Sequence, residues 1–109
     1  MESVAHALLL KLAPPHHDPQ RAQLLWSCPL SQEQVTALVP LLCARLDCQL
    51  GGGEIAADRL FWPLRFEESE LTLHFEAMCE TLWIQAESGD PEGAQVIAYL
   101  ATLAQEICP

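Results

Sequence analysis

Positive charge is scarce in this sequence, which has five Lys and Arg residues against fifteen Asp and Glu and a formal net charge of −10. Proteins that bind nucleic acids neutralise phosphates with Lys and Arg, and anionic membranes attract the same residues. We therefore predict no nucleic-acid partner and no membrane partner. Residues 50–109 net −9, whereas residues 1–49 net −1. The simpler interpretation of this excess of negative charge is that it favours solubility. The more specific alternative is that it forms a docking face for a basic protein.

Long apolar runs and cysteine pairs are missing as well. The apolar run within residues 4–13 is far shorter than the ~20 residues that a membrane-spanning helix needs. Glu2 stands where a signal peptide carries a cation. The five cysteines are odd in number and include no C-x-x-C pair, so we expect reduced thiols and a cytoplasmic location.

Motifs of common enzymes and metal sites are absent. The glycines at 51–53 are not followed by the Lys and Ser or Thr of a phosphate-binding loop. His16 and His17 are adjacent, and adjacent side chains of an extended chain point apart, whereas metal ligands must converge. Cys79 lies between acids, whose charge opposes a reactive thiolate. We predict no catalytic residues, no cofactor and no metal site.

The first part of the chain is predicted to form a β-hairpin. Apolar residues alternate within 4–13 and again within 21–28, where Leu24 and Trp26 share the inward face. The proline-rich segment 14–20 between them is predicted to be a loop. The pattern of residues 4–13 also allows a short helix.

A helix is predicted to begin at Ser31. This residue and Gln34 form a capping box, in which each side chain bonds a backbone N–H of the other residue. Pro40 removes one helical hydrogen bond, so we expect a kink or a split into two helices there. The glycines at 51–53 are expected to end the helix.

Strict alternation of apolar and polar residues predicts a three-stranded meander in the second half. The predicted strands are 60–66, 71–77 and 82–86, with turns at 67–70 and 77–80. In this register the inward pairs are Phe66–Leu71, Leu64–Leu73 and Trp62–Phe75.

The last predicted element is a helix that Asp90 caps and Pro91 begins. Its apolar stripe comprises Val96, Leu100, Leu103 and Ile107, with Ile97 and Ala104 beside them. The predicted fold is therefore one α+β domain over residues 1–109, with element order ββαβββα. It has two layers, an antiparallel sheet of about five strands and two helices, most simply on one face of the sheet.

The second half resembles a family of short uncharacterised gammaproteobacterial proteins, a domain of unknown function. The likeness rests on the strand pattern of Trp62, Phe66, Glu67, Leu71, Leu73, Phe75, Glu76, Trp83 and Ile84. The resemblance implies a similar fold and supplies no catalytic residues.

The outward side of the predicted meander carries the candidate functional residues. Polar side chains that alternate with core residues are typical of a solvated sheet face. Trp83 is the exception, because it adds a large apolar surface with one N–H donor, as interface anchors often do. The alternative is that segment 14–20 or 51–59 covers Trp83. The candidate face comprises Trp83, His74, Glu76, Arg65 and Gln85.

The leading hypothesis is a non-catalytic protein-interaction module that binds a protein partner or a second copy of itself through this face. The alternative is a small-molecule-binding or enzymatic domain with a pocket between sheet and helices. The geometry of such a pocket would separate the two.

Overall fold

A computed structural model of the chain describes residues 2–56, 59–87 and 89–107, and in those ranges it contains three helices and seven strands. In chain order they are α1 (Glu2–Leu9), β1 (His16–Asp18), β2 (Gln23–Ser27), α2 (Gln32–Arg45), β3 (Gln49–Leu50), β4 (Glu54–Ala56), β5 (Arg59–Phe66), β6 (Ser69–Glu76), β7 (Thr81–Ala86) and α3 (Pro91–Ile107). The α+β class with an antiparallel sheet is confirmed. The predicted strand number, helix number and element order are wrong.

The strands form one antiparallel sheet in the order β1-β2-β7-β6-β5-β3, and β4 pairs with β5 next to β3. One face of this sheet is buried because its strands alternate apolar side chains. These inward residues are Leu24, Trp26, Leu60, Trp62, Leu64, Leu71, Leu73, Phe75, Leu82, Ile84 and Ala86. All three helices join them in a single hydrophobic core. The helical layer therefore lies on one face of the sheet, and no helix of the described residues covers the other, which we call the open face.

The N-terminal segment is a helix and not the predicted strand. Leu8, Leu9 and Leu12 are buried, whereas Leu10 is 59% exposed. Burial at i, i+1 and i+4 is typical of one side of a helix, and α1 uses this side to pack against α2. A strand would have placed Leu10 inward with Leu8.

The partner of β2 is also different from the predicted one. Three residues of the expected loop, His16–Asp18, form β1 and pair with β2, which pairs on its other side with β7. The inward orientation of Leu24 and Trp26 is confirmed, since both are fully buried.

Helix α2 begins as predicted, with a complete capping box between Ser31 and Gln34. It continues through Pro40 to Arg45, so the predicted split into two helices does not occur.

The C-terminus of α2 is earlier than the predicted stop at 51–53. Asp47 takes a left-handed φ of 57°. The N–H of Cys48 donates to the Cys43 carbonyl at 2.9 Å, and the N–H of Asp47 donates to the Ala44 carbonyl at 3.2 Å. These two bonds form a Schellman motif, in which an aspartate takes the position that glycine usually fills.

The glycines at 51–53 form a bulge between β3 and β4. The three residues lie opposite only two residues of β5, Trp62 and Pro63. A Cβ on Gly51 would lie 2.5 Å from Pro63 Cγ, and one on Gly53 would lie 2.4 Å from Trp62 Nε1. Glycine is therefore required because the bulged backbone lies directly against these two side chains.

The meander is confirmed, but the register of its first hairpin is shifted by two residues. The observed partners are Phe66–Ser69, Leu64–Leu71, Trp62–Leu73 and Leu60–Phe75. The turn has only two central residues, Glu67 and Glu68, and Glu67 reaches a left-handed φ of 54°. A shift of two keeps every side chain on its predicted face. The predicted turn at 77–80 is present.

Helix α3 begins as predicted, because the N–H of Glu92 donates to the Asp90 carboxylate at 3.1 Å and Pro91 is its first residue. Its buried side is rotated from the predicted stripe and consists of Ile97, Leu100, Ala101 and Ala104, with Val96 and Leu103 partly buried. The side chain of Ile107 and all of Cys108 lie outside the described residues.

Candidate interaction face

The open face of the sheet carries a row of aromatic rings. His74 of β6 is the register partner of Trp83 on β7 and of Phe61 on β5. Leu25 of β2 is the partner of Trp83 on its other side. We call Phe61, His74 and Trp83 the aromatic row, which crosses three adjacent strands and which Leu25 extends onto a fourth.

The rings of the aromatic row are in direct contact. His74 and Trp83 stack with ring centroids 5.0 Å apart and an interplanar angle of 9°. Phe61 meets the other side of His74 edge to face at 5.1 Å. Aromatic pairs at such distances contribute about 0.5–1.5 kcal/mol beyond the burial of their area. The row is therefore held in one arrangement.

Hydrogen bonds along the strands fix the polar atoms of the row. Trp83 Nε1 donates to Gln85 Oε1 at 2.8 Å, and the same oxygen accepts from Gln23 Nε2 at 3.3 Å. His74 Nε2 and Thr72 Oγ1 are 2.9 Å apart. The indole N–H and one ring nitrogen of the imidazole thus already have partners, and the carbon atoms of the row that remain exposed provide the open contact area.

Burial lowers the pKa of His74, because the protonated ring would lose hydration between its two aromatic neighbours, and the charge of Arg59 lowers it further. The imidazole is therefore held neutral. A neutral ring keeps the middle of the aromatic row apolar.

Short strands form within the two segments that were expected as alternatives to cover Trp83, and residues 57–58 of the second segment lie outside the described residues. Residues 16–18 form β1 and residues 54–56 form β4, which pair in the plane of the sheet at its two sides. Trp83, Phe61 and Leu25 are each half-buried. The rings of Trp83 and Phe61 are partly covered by His74, which lies between them on the same face.

The other candidate residues surround the row without joining it. Glu76 pairs with Arg59 at 2.8 Å, and Arg65 pairs with Glu70 at 3.2 Å on the opposite side of the row. All five candidates, Trp83, His74, Glu76, Arg65 and Gln85, lie on the open face.

Sequence reasoning missed Phe61, Leu25 and Arg59. Their outward orientation follows from strand alternation, since their neighbours along the strand were predicted inward. What the sequence could not supply was that β2 lies beside β7, which brings Leu25 next to Trp83.

The cysteines are mostly buried. Burial raises the pKa of the Cys28 thiol to about 11, that of Cys43 to about 12 and that of Cys48 to about 11. Cys79 is exposed and donates to Glu76 Oε1 at 3.2 Å. Thiols with raised pKa values are poor nucleophiles.

The two adjacent histidines do not converge on a common point. His16 pairs with Leu25 and His17 with Leu24, so the two imidazoles lie on opposite faces of the sheet. No group of three His, Cys, Asp or Glu side chains that could hold a metal ion occurs among the described residues. Likewise, none of the described helices is long and apolar enough to cross a membrane.

The described depressions lie at the surface. The space between the sheet and the helices, where the alternative hypothesis places a pocket, contains the fully buried side chains of Trp26, Phe75 and Leu38. The largest of these depressions, about 700 Å³, opens between the β1–β2 turn and the start of α3.

These features define a class: a small two-layer α+β domain with an open, aromatic sheet face. The chain belongs to the family described as "Protein of unknown function (DUF3630)", which matches residues 13–105. This match confirms the resemblance seen in the second half and extends it to most of the chain, with α1 lying before the matched region. No curated protein and no solved structure matches the chain.

Proposed function

We propose that this protein is a non-catalytic cytoplasmic interaction module that binds another protein through the open face of its sheet. The aromatic row is the observation that carries the proposal. A patch of fixed aromatic rings, bordered by charged residues, is typical of the centre of a protein interface.

The contacts within the aromatic row favour a binding role over a catalytic role. The indole N–H of Trp83 donates to Gln85, and Nε2 of His74 lies within hydrogen-bond distance of Thr72 Oγ1. A general base is tuned to exchange a proton with a substrate within reach. Here the imidazole stacks instead on Trp83 and serves as part of an apolar contact surface.

Charge favours a different protein over a second copy of this chain. The net charge of −10 opposes self-association. Arg59 and Arg65 on the face are already paired with Glu76 and Glu70. The charge that remains on the face is negative, so a partner with a basic rim around an apolar centre is complementary.

The test compares three purified proteins, the wild type, Trp83→Ser and Met78→Ser. Met78 is 82% exposed in the β6–β7 turn and serves as the matched apolar control. Each protein is immobilised at equal density, and proteins captured from a lysate are quantified by mass spectrometry. Sedimentation of the free proteins reports self-association.

We expect at least one basic protein to be captured by the wild type and by Met78→Ser and to be lost from Trp83→Ser. Urea unfolding should show that Trp83→Ser remains folded and loses about 1–2 kcal/mol, because one aromatic stack and some strand propensity disappear. Equal capture by all three proteins would refute the proposal. Self-association that Trp83→Ser abolishes would replace the basic partner by a second copy.

A further inference from the structure

A groove crosses the open face beside the aromatic row, and we call it the transverse groove. It is lined by residues 49–51 at the end of β3, 63–65 on β5, 70–72 on β6 and 85–87 at the end of β7. The middle residues of these segments are register partners whose side chains point inward, namely Leu50, Leu64, Leu71 and Ala86. The floor of the groove is therefore backbone, and only the flanking residues rise above it.

The two walls of the groove differ in character. One wall consists of Pro63, Thr72 and Gln85, behind which stands the aromatic row. The other consists of Arg65, Glu70 and Glu87, all exposed.

The groove is long enough to hold a short extended segment. Its two parts have volumes of about 400 and 300 Å³. A third part of about 700 Å³ shares residues 85–87 and continues to the start of α3. The four strands span on the order of 15 Å, which is the length of roughly four residues of extended chain.

The charged wall has an excess of carboxylates. The guanidinium of Arg65 is committed to Glu70 at 3.2 Å. Glu87 ends the wall, and Glu67 and Glu68 lie in the adjoining turn. In the part of the chain that the structure describes, no salt bridge joins these three acids to a cation. A ligand with Lys or Arg side chains would supply the missing positive charge.

The uncharged wall, formed by Pro63, Thr72 and Gln85, offers a hydrogen-bond donor. Gln85 Oε1 already accepts from Trp83 and from Gln23, and this fixes the amide so that Nε2 is its donor end. Within the described ranges, no acceptor is bonded to Nε2. A backbone carbonyl of a bound segment is a suitable acceptor for it.

We infer that the transverse groove binds an extended, basic peptide segment of the partner, with the apolar residues of that segment resting against the aromatic row. This inference rests on the proposed function, because it specifies what the open face recognises. Unlike the proposed function, the inference requires that the acidic residues of the groove contribute to binding.

The experiment selects short random peptides displayed on phage against the immobilised wild-type protein. Affinities of the selected peptides are then measured by fluorescence anisotropy. The groove variant is the double substitution Glu70→Gln and Glu87→Gln. The matched control is Glu33→Gln with Glu106→Gln, which removes the same charge from exposed helix positions. Trp83→Ser tests the aromatic row separately.

We expect peptides rich in Lys or Arg to be enriched. The groove variant should weaken them on the order of tenfold, because the carboxylate of Glu87 is lost and Arg65, no longer paired with Glu70, repels a basic ligand. The control should leave affinity unchanged, and added salt should weaken binding.

Enrichment of acidic peptides, no enrichment at all, or equal binding by the groove variant would overturn the inference. If the groove variant binds the peptides normally and Trp83→Ser does not, the inference about the groove is wrong and the proposed function is retained. If neither substitution affects binding, both are wrong.

Discussion

His74 and Trp83 lie ring against ring on adjacent strands, and Phe61 closes the other side of the imidazole. At the scale of single residues, this contact gives the histidine a measurable pH signature. Burial and Arg59 lower its folded-state pKa from the usual 6.5. Below pH 6.5 the unfolded chain therefore binds this proton more readily than the folded chain, so stability is lost as the pH falls through this range.

We predict that His74→Gln loses less stability than the wild type between pH 7 and pH 5. Urea unfolding at several pH values measures the difference. His6→Gln is the control, since His6 is exposed on α1. Equal acid sensitivity of the wild type and His74→Gln would contradict a lowered pKa of the half-buried imidazole.

For the three buried thiols we predict the opposite pH dependence, in which stability is lost as the pH rises. Their folded pKa values are about 11 for Cys28, about 12 for Cys43 and about 11 for Cys48, against 9.0 for an exposed thiol. The unfolded chain loses these protons first, so stability is full below pH 9 and falls as the pH rises from 9 towards 11–12. Each thiol should contribute about 1 kcal/mol of loss between pH 9 and pH 10.

Cys43→Ala should reduce this alkaline slope by about a third, as one of three equal contributions is removed. Denaturant midpoints at pH 8, 9 and 10 measure it. An unchanged slope would mean that Cys43 is accessible to solvent base.

At the scale of elements, the end of α2 carries backbone strain at a residue other than glycine. Asp47 holds the left-handed position of the Schellman motif, with φ 57°, and its carboxylate lies at the negative end of the helix dipole. We predict that Asp47→Gly stabilises the protein by about 0.5–1 kcal/mol, because glycine adopts this conformation without a Cβ clash.

Asp47→Ala separates the two causes, since it removes the charge and keeps the Cβ. Urea unfolding should show no gain for alanine. If Asp47→Ala gained as much stability as Asp47→Gly, the gain would come from removal of the charge alone.

Elements with a clear period could be predicted from the sequence, and short ones could not. The alternation in β5, β6 and β7 defined their inward faces, and local capping signals placed the starts of α2 and α3. Strands β1, β3 and β4 have only two or three residues, too few to show a period. The run Leu8–Leu9–Leu10 suits a helix and a strand equally well, so only packing against α2 decides in favour of a helix.

Strand alternation also predicted which residues lie on the candidate face, but it did not predict which strands are neighbours across that face. Alternation places Trp83, His74 and Gln85 outward without any tertiary information. The contact between Leu25 and Trp83 depends on strand order, which joins segments far apart in sequence. The two-residue shift of the first hairpin likewise depends on turn length, which the face pattern cannot detect.

At the scale of the whole molecule, the helices cover one side of the sheet and the aromatic row lies on the other. The acids of residues 50–109 that the structure describes lie on strands β4 and β6, in the turns and segments next to the strands, and on α3. An apolar row with an acidic surround is the combination that a basic partner complements.

Site-specific photo-crosslinking tests the open face most directly. The photoreactive residue p-benzoylphenylalanine replaces Phe61 in one protein and Tyr99 in another, and both are irradiated in cells that produce them. Phe61 belongs to the aromatic row, whereas Tyr99 is an exposed aromatic residue of α3 in the helical layer. We predict a covalent adduct with a second protein from position 61 and none from position 99. Adducts from position 99 alone would contradict it.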